Sequence, residues 1–290
     1  ITVHYKVDKK LFVPKFKINY EETPIIIYNY GLYVAMGGFW SGDILLNKFE
    51  ENLNEEKKAI KKCSIIHTNQ YSPITKMIID KYETFVFCCN LFGTVFIYMI
   101  DLNNKGKWNL HKKINEGIGE ISAIVVNETL NIFITCHKNG YCRIYSFPDC
   151  ILFNSFETIS KDLIQTYTIQ SSSEAVIYPE IVIISQASLP CFVFYFKSRS
   201  TLCVYSINGK FLKESSIDYE IPPNGILKYT DYTFKDYLVI FNTSKNNINI
   251  YRLIDLNLIY SSKAINLNYS FVDFHFSKDY DHLIILMNNK

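Results

Sequence analysis

The residues best suited to chemistry are a local group of two cysteines and a histidine, Cys136, His137 and Cys142. The two cysteines flank a short turn, so they could face each other across a hairpin, and thiolate and imidazole are common zinc ligands. A tetrahedral site would need a fourth ligand, and Cys150 lies too far along the chain to be a good candidate. We therefore favour thiols buried in strands over a zinc site, and we predict no bound metal.

The sequence contains none of the familiar catalytic motifs. It has no phosphate loop of the GxxxxGK[ST] kind, no GxSxG elbow, no HExxH and no calcium-loop spacing. The carboxylates Asp43, Asp80, Asp101 and Glu120 do not share one position of the repeat described below. A paired acid and base is therefore not evident. We predict a protein that is not an enzyme and has no cofactor, and an unrecognised enzyme remains an alternative.

Composition sets limits on the class of protein. The chain has 290 residues, 48% hydrophobic and 16% aromatic, with a net charge of +2. This apolar content excludes an intrinsically disordered chain, and the balanced charge gives no reason to expect a nucleic-acid partner. The longest apolar runs have about seven residues, well short of the roughly 18 a membrane helix needs. Eight cysteines without a secretory segment indicate free thiols in a reducing compartment.

The elements that must position any site are short β-strands. Apolar residues alternate with a period near two in runs rich in Val, Ile, Phe and Tyr. Five segments share the form strand, short turn, strand. Their turns end at Gly42, Gly93, Gly140, Ser200 and Asn246. Five residues after these turns stand Asn47, Tyr98, Tyr145, Tyr205 and Tyr251.

This repeat predicts an all-β propeller. The turns recur at steps of about 46 to 60 residues, which is close to the length of a four-stranded blade. A small sheet cannot bury both of its faces alone, so we expect the blades to stack and the tyrosines to fill the gap between neighbours. We predict one domain over residues 1–290 with six or seven blades and incomplete terminal blades. Solvated insertions are expected near residues 50–62 and 156–175, within what we take to be a piece of a longer protein.

The repeat resembles a WD-repeat propeller in which the Trp-Asp pair is replaced by Tyr98-Met99, Tyr145-Ser146, Tyr205-Ser206 and Tyr251-Arg252. Three stretches are similar to the propeller that follows the BEACH domain in beige/neurobeachin-like proteins. They are residues 1–13, the segment Gly37-Gly-Phe-Trp-Ser-Gly-Asp43, and residues 119–124 leading into 135–145. Ser41 stands where the family has an aspartate.

The resemblance implies a non-catalytic protein-interaction scaffold in vesicle or endomembrane trafficking. Such a propeller would lie in the cytoplasm beside a BEACH-type domain of the same chain, and other domains would hold it at endomembranes. The alternative is a propeller subunit of a stable assembly, such as a coat or ciliary complex, without a BEACH domain.

The candidate site is the mouth of the propeller channel, where the turns between second and third strands would lie. The first turns carry an aromatic arc and the later ones a basic arc, which together would suit an acidic-aromatic peptide or protein surface. The seven residues are Phe39, Trp40, Phe92, Lys138, Lys197, Arg199 and Lys245. For the three aromatics we favour the alternative that they pack between blades, because large aromatic residues in propellers are usually core.

Overall fold

The computed structural model describes residues 2–7, 11–17, 26–30, 33–49, 60–104, 107–115, 117–158, 178–185, 190–222, 225–230, 233, 235–265, 269–276 and 282–289. These residues form 24 strands, β1 to β24, and one short 3-10 helix. The chain divides into two compact units, Ile1–Ile121 and Ser122–Lys290. Within the described ranges, no helix could span a membrane.

Antiparallel sheets account for all the described strands of the first unit. One sheet has two strands and the other two have four, each in chain order. The two-stranded sheet consists of β1 Thr2–Val7 and β2 Leu11–Lys17. The first four-stranded sheet consists of β3 Ile26–Tyr30, β4 Tyr33–Gly37, β5 Ile44–Phe49 and β6 Ile60–Ile66. The second consists of β7 Ile74–Ile79, β8 Phe85–Asn90, β9 Thr94–Ile100 and β10 Trp108–Asn115.

The second unit repeats the pattern, with β11 starting on the boundary residue. Its first sheet consists of β11 Ile121–Asn127, β12 Ile132–His137, β13 Tyr141–Ser146 and β14 Leu152–Glu157. Its second consists of β15 Ile181–Ile184, β16 Cys191–Phe196, β17 Thr201–Ser206 and β18 Phe211–Ser216, with the 3-10 helix Lys197–Arg199 between β16 and β17. Its third consists of β19 Ile226–Thr230, β20 Asp236–Asn242, β21 Asn247–Arg252 and β22 Leu258–Ser261. The last described sheet has two strands, β23 Tyr269–Phe276 and β24 Leu283–Asn289.

The predicted all-β fold is confirmed, and five four-stranded meanders among the described residues are consistent with a propeller-like arrangement. At the edges of the two expected insertions the structure shows strands. Residues 60–62 belong to β6, and residues 156–157 belong to β14. Residues 50–59 and 159–175 lie outside the described part of the chain.

The five turns are placed as predicted, because each joins the second and third strands of a four-stranded sheet. Their last residues all have a left-handed backbone, with φ between 47° and 85°. In four of the turns the amide of this residue donates a hydrogen bond to the carbonyl three residues earlier, at 2.9 to 3.1 Å. Positive φ without steric cost explains why three of the five are glycine.

The four third-strand tyrosines are buried. Three of them, Tyr98, Tyr205 and Tyr251, pack against the preceding sheet of the same unit. Tyr98 joins a core cluster with Ala35 and Leu46, and Tyr251 joins one with Leu202 and Val204. The prediction that these side chains fill the gap between successive sheets is confirmed for both, and for Tyr205 (see Discussion). Asn47, which stands at the same position, is also buried.

A β-bulge recurs beside this position in all five four-stranded sheets. On each fourth strand the register skips one residue, which directly follows the residue that faces the tyrosine or Asn47. The bulge residues are Cys63, His111, Phe153, Leu212 and Ile259. Because a bulge bends its strand and redirects a side chain, this repeated bulge determines which side chains the fourth strands expose at the outer edges of the sheets.

Candidate partner-binding surface

The turn between β4 and β5 separates two adjacent aromatic residues. Phe39 is buried in a cluster with Met36 and Leu45, whereas the indole of Trp40 is 72% exposed. Phe39 is therefore unavailable to a partner, and its packing in this cluster holds the turn in place. Trp40, which we expected to pack between sheets, instead projects from the end of the first four-stranded sheet.

The connection from β6 to β7 lies against this turn. The Thr68 hydroxyl donates to the Gly42 carbonyl over 3.0 Å, and His67 Nδ1 lies 3.0 Å from Asp43 Oδ1. A Cβ at Gly42 would collide with the Gln70 carbonyl oxygen, so only glycine allows the two segments to approach so closely. Tyr71, one residue further, is 92% exposed.

The turn between β8 and β9 is tied to the same connection. The buried Asn90 side chain accepts hydrogen bonds from the amides of Phe92 (3.1 Å) and Thr94 (2.8 Å), and it donates to Gln70 Oε1 over 3.0 Å. The Leu91 amide also donates to the Pro73 carbonyl. Phe92 is 66% exposed, so the expected burial of Phe92 is wrong, as it is for Trp40.

We call Trp40, Tyr71 and Phe92 the aromatic rim. The three residues come from three segments that contact one another at one end of the first unit. They are exposed because the inward positions of their turns are taken by Phe39 and by the polar groups of Thr68 and Asn90. Tyr71 was not among the residues predicted from the sequence. Its signal was an aromatic residue inside the polar turn sequence Asn-Gln-Tyr-Ser-Pro, where no strand pattern would bury it.

The predicted basic residues all lie in the second unit, and acids neutralise two of them. Lys197 Nζ lies 2.7 Å from Glu220, whose carboxylate raises the pKa of Lys197. Arg199 lies 3.6 Å from Glu214, and its side chain is mostly buried. These two are therefore poor contacts for an acidic partner. Lys138 and Lys245 are exposed in the β12–β13 and β20–β21 turns.

Cys136 and Cys142 face each other in the register of β12 and β13, as the hairpin predicted. Neither cysteine forms a disulfide and both are buried, and His137 between them is buried as well. No group of three or more possible metal ligands occurs among the described residues.

A buried polar cluster in the second unit was not predicted from the sequence. Asp236, at the start of β20, accepts hydrogen bonds from the hydroxyls of Ser185 (2.6 Å) and Thr230 (2.5 Å), and Lys228 Nζ lies 3.5 Å from it. Lys228 also donates to the Ile184 carbonyl over 3.2 Å. Burial lowers the pKa of Lys228, and this effect outweighs the opposing attraction of Asp236.

This cluster joins the end of β15 to the β19–β20 hairpin, so its evident role is to hold two successive sheets together. Its signal in the sequence was weak, because Ser185 and Asp236 are 51 positions apart.

When the chain is compared with models of known protein families and with curated proteins, none matches it.

Proposed function

We propose that this chain is a non-catalytic protein-interaction platform, built as a WD-repeat-like propeller of six or seven blades. The meander order of the strands, the repeated left-handed turns and the buried third-strand tyrosines support the propeller. In such a fold each sheet needs a neighbour to cover its faces, and the exposed turns are left to bind partners.

The single observation that carries the function is the aromatic rim. Three large aromatic side chains, which are 66% to 92% exposed, lie on segments that contact one another, and a group of exposed apolar residues is typical of a binding surface. Trp and Tyr are the residues that most often contribute the binding energy of protein interfaces. Their turns are fixed by buried hydrogen bonds of Thr68 and Asn90, so little backbone freedom would be lost on binding. The partner we propose is a protein segment with apolar or aromatic anchor residues.

Alanine variants of the rim test this proposal. Trp40→Ala, Tyr71→Ala and Phe92→Ala, singly and together, should abolish co-purification of the partners that the unmodified protein captures from its native cells. Tyr82→Ala is the matched control. Tyr82 is similarly exposed, but it lies in the β7–β8 turn, at the opposite end of the sheet that carries Phe92. Equal loss in the rim variants and in this control, or no loss in the triple variant, would refute the role of the rim.

For the cellular context, we propose a BEACH-type trafficking protein that is cytoplasmic and peripheral to endomembranes. The support is the resemblance of residues 1–13, 37–43 and 119–124 leading into 135–145 to that family of propellers. A stable coat or ciliary assembly is the alternative. Size-exclusion chromatography of native extracts and co-localisation with vesicle markers discriminate the two, since a coat subunit should elute only in a large complex.

A further inference from the structure

The described segments that contact one another at the rim end of the first unit carry carboxylates but no lysine or arginine. They are residues 37–43, 67–73, 90–93 and 117–120. The last of them lies against the β8–β9 turn, where a Cβ at Gly93 would meet the Gly119 carbonyl oxygen. The two carboxylates of these segments are Asp43 and Glu120. The aromatic rim is therefore flanked by negative charge.

Asp43 is held in the rim turn by its own backbone and by a histidine. Its amide donates to the Ser41 hydroxyl over 3.3 Å, and its Oδ1 lies 3.0 Å from His67 Nδ1. The Asp43 side chain is 20% exposed, so part of the carboxylate is open to a partner. Because Asp43 stands three residues after Trp40 in one short turn, its charge belongs to the same surface as the indole.

Aromatic rings elsewhere in the first unit already accept cations. The ammonium of Lys113, on β10, lies 5.6 Å from the centre of the Phe96 ring, and that of Lys81 lies 5.1 Å from the centre of the Tyr82 ring. Both distances are within the range of about 6 Å over which a cation is attracted to the face of a ring. The rim offers three exposed rings, and its own segments supply no lysine or arginine to cover them.

From these observations we infer that the partner segment of the aromatic rim is basic, with arginine side chains that stack on the exposed rings. The inference rests on the proposed function and names the chemistry of its partner. A guanidinium is planar, so it can lie flat on an open ring while its N–H groups point to a carboxylate beside the ring. Asp43 and Glu120 supply negative charge for such a segment, and the same charge disfavours an acidic one.

Four short fluorescein-labelled peptides test the charge of the partner. They share two leucines as apolar anchors and carry arginine, lysine, glutamine or glutamate at three further positions. Fluorescence anisotropy at about pH 8, where histidine is ordinarily neutral, should rank them in that order from tightest to weakest. The arginine peptide should bind about tenfold more tightly than the glutamine peptide. Trp40→Ala, Tyr71→Ala and Phe92→Ala should each reduce that difference, whereas Tyr82→Ala should not.

Variants of the two carboxylates test the charge of the rim itself. Asp43→Asn with Glu120→Gln keeps the shape of both side chains and removes their charge. This double variant should weaken the arginine peptide about fivefold and leave the glutamine peptide unchanged. Glu83→Gln is the matched control, since Glu83 is half-buried in the β7–β8 turn at the opposite end of the sheet that carries Phe92. Added salt should weaken the arginine peptide more than the glutamine peptide.

The possible outcomes separate the inference from the proposed function. Tighter binding of the glutamate peptide, equal binding of the arginine and glutamine peptides, or no binding of any peptide would overturn the basic partner. If capture of native partners still depends on the rim in those cases, only the charge assigned to the partner is wrong. If the triple alanine variant binds the arginine peptide as tightly as the unmodified protein and also captures the same partners, both proposals fail.

Discussion

Removing the Tyr205 side chain should destabilise the second unit more than any substitution at an exposed tyrosine. The ring lies between two sheets, 5.9 Å from Phe156, 5.2 Å from Phe194 and 5.5 Å from Phe211 between ring centroids, and its hydroxyl donates to the Thr158 carbonyl. Replacing a buried aromatic residue by alanine costs about 3 to 5 kcal/mol. Tyr205→Phe keeps the ring and leaves the carbonyl unpaired, which should cost about 1 to 2 kcal/mol.

Urea unfolding followed by far-UV circular dichroism measures both variants. Circular dichroism reports on the strands of the second unit directly, whereas both tryptophans, Trp40 and Trp108, belong to the first unit. Tyr82→Ala is the control, since it removes an exposed ring and should change the unfolding free energy by less than about 0.5 kcal/mol. A loss below about 1 kcal/mol for Tyr205→Ala would show that the tyrosines do not hold successive sheets together.

Four further results are expected. Trp40→Ala should cost less than about 1 kcal/mol in urea unfolding, since the indole is exposed. Gly93→Ala should cost about 2 kcal/mol or more on the same assay, because φ is +79° and a Cβ would meet the Gly119 carbonyl. Burial raises the pKa of Cys191 to about 11 and that of Cys203 to about 12, so iodoacetamide at about pH 8 should modify neither before unfolding. Burial lowers the pKa of Lys228, so the unfolded chain binds that proton more tightly. The unmodified protein should therefore gain unfolding free energy relative to Lys228→Met as the pH rises toward about 10.5.

The strand pattern and the turns were predictable because both are local. A left-handed residue at Gly93 or Asn246 follows from the few residues of one hairpin, and the tyrosine five residues later follows from the strand period. Packing against the preceding sheet needed only the argument that a thin sheet must be covered.

The exposure of the candidate residues could not be predicted in the same way. Phe39 and Trp40 are neighbours in one turn, and which of them faces inward depends on the backbone of that turn. The pairing of Arg199 with Glu214 depends on the register of β17 and β18. The bulges were also missed, since they are visible only when each fourth strand is aligned residue by residue with its partner.

The meander order of the strands has a consequence for folding during synthesis. Every strand of a four-stranded sheet pairs with the segment just before or after it in the chain, so a sheet can assemble as soon as its own residues have left the ribosome. Loop-closure entropy then stays small at each step, because no strand has to wait for a distant partner. The Asp236 cluster would form only when β20 emerges, long after Ser185 has been translated. The link between those two sheets can therefore be completed only after β20 has been translated.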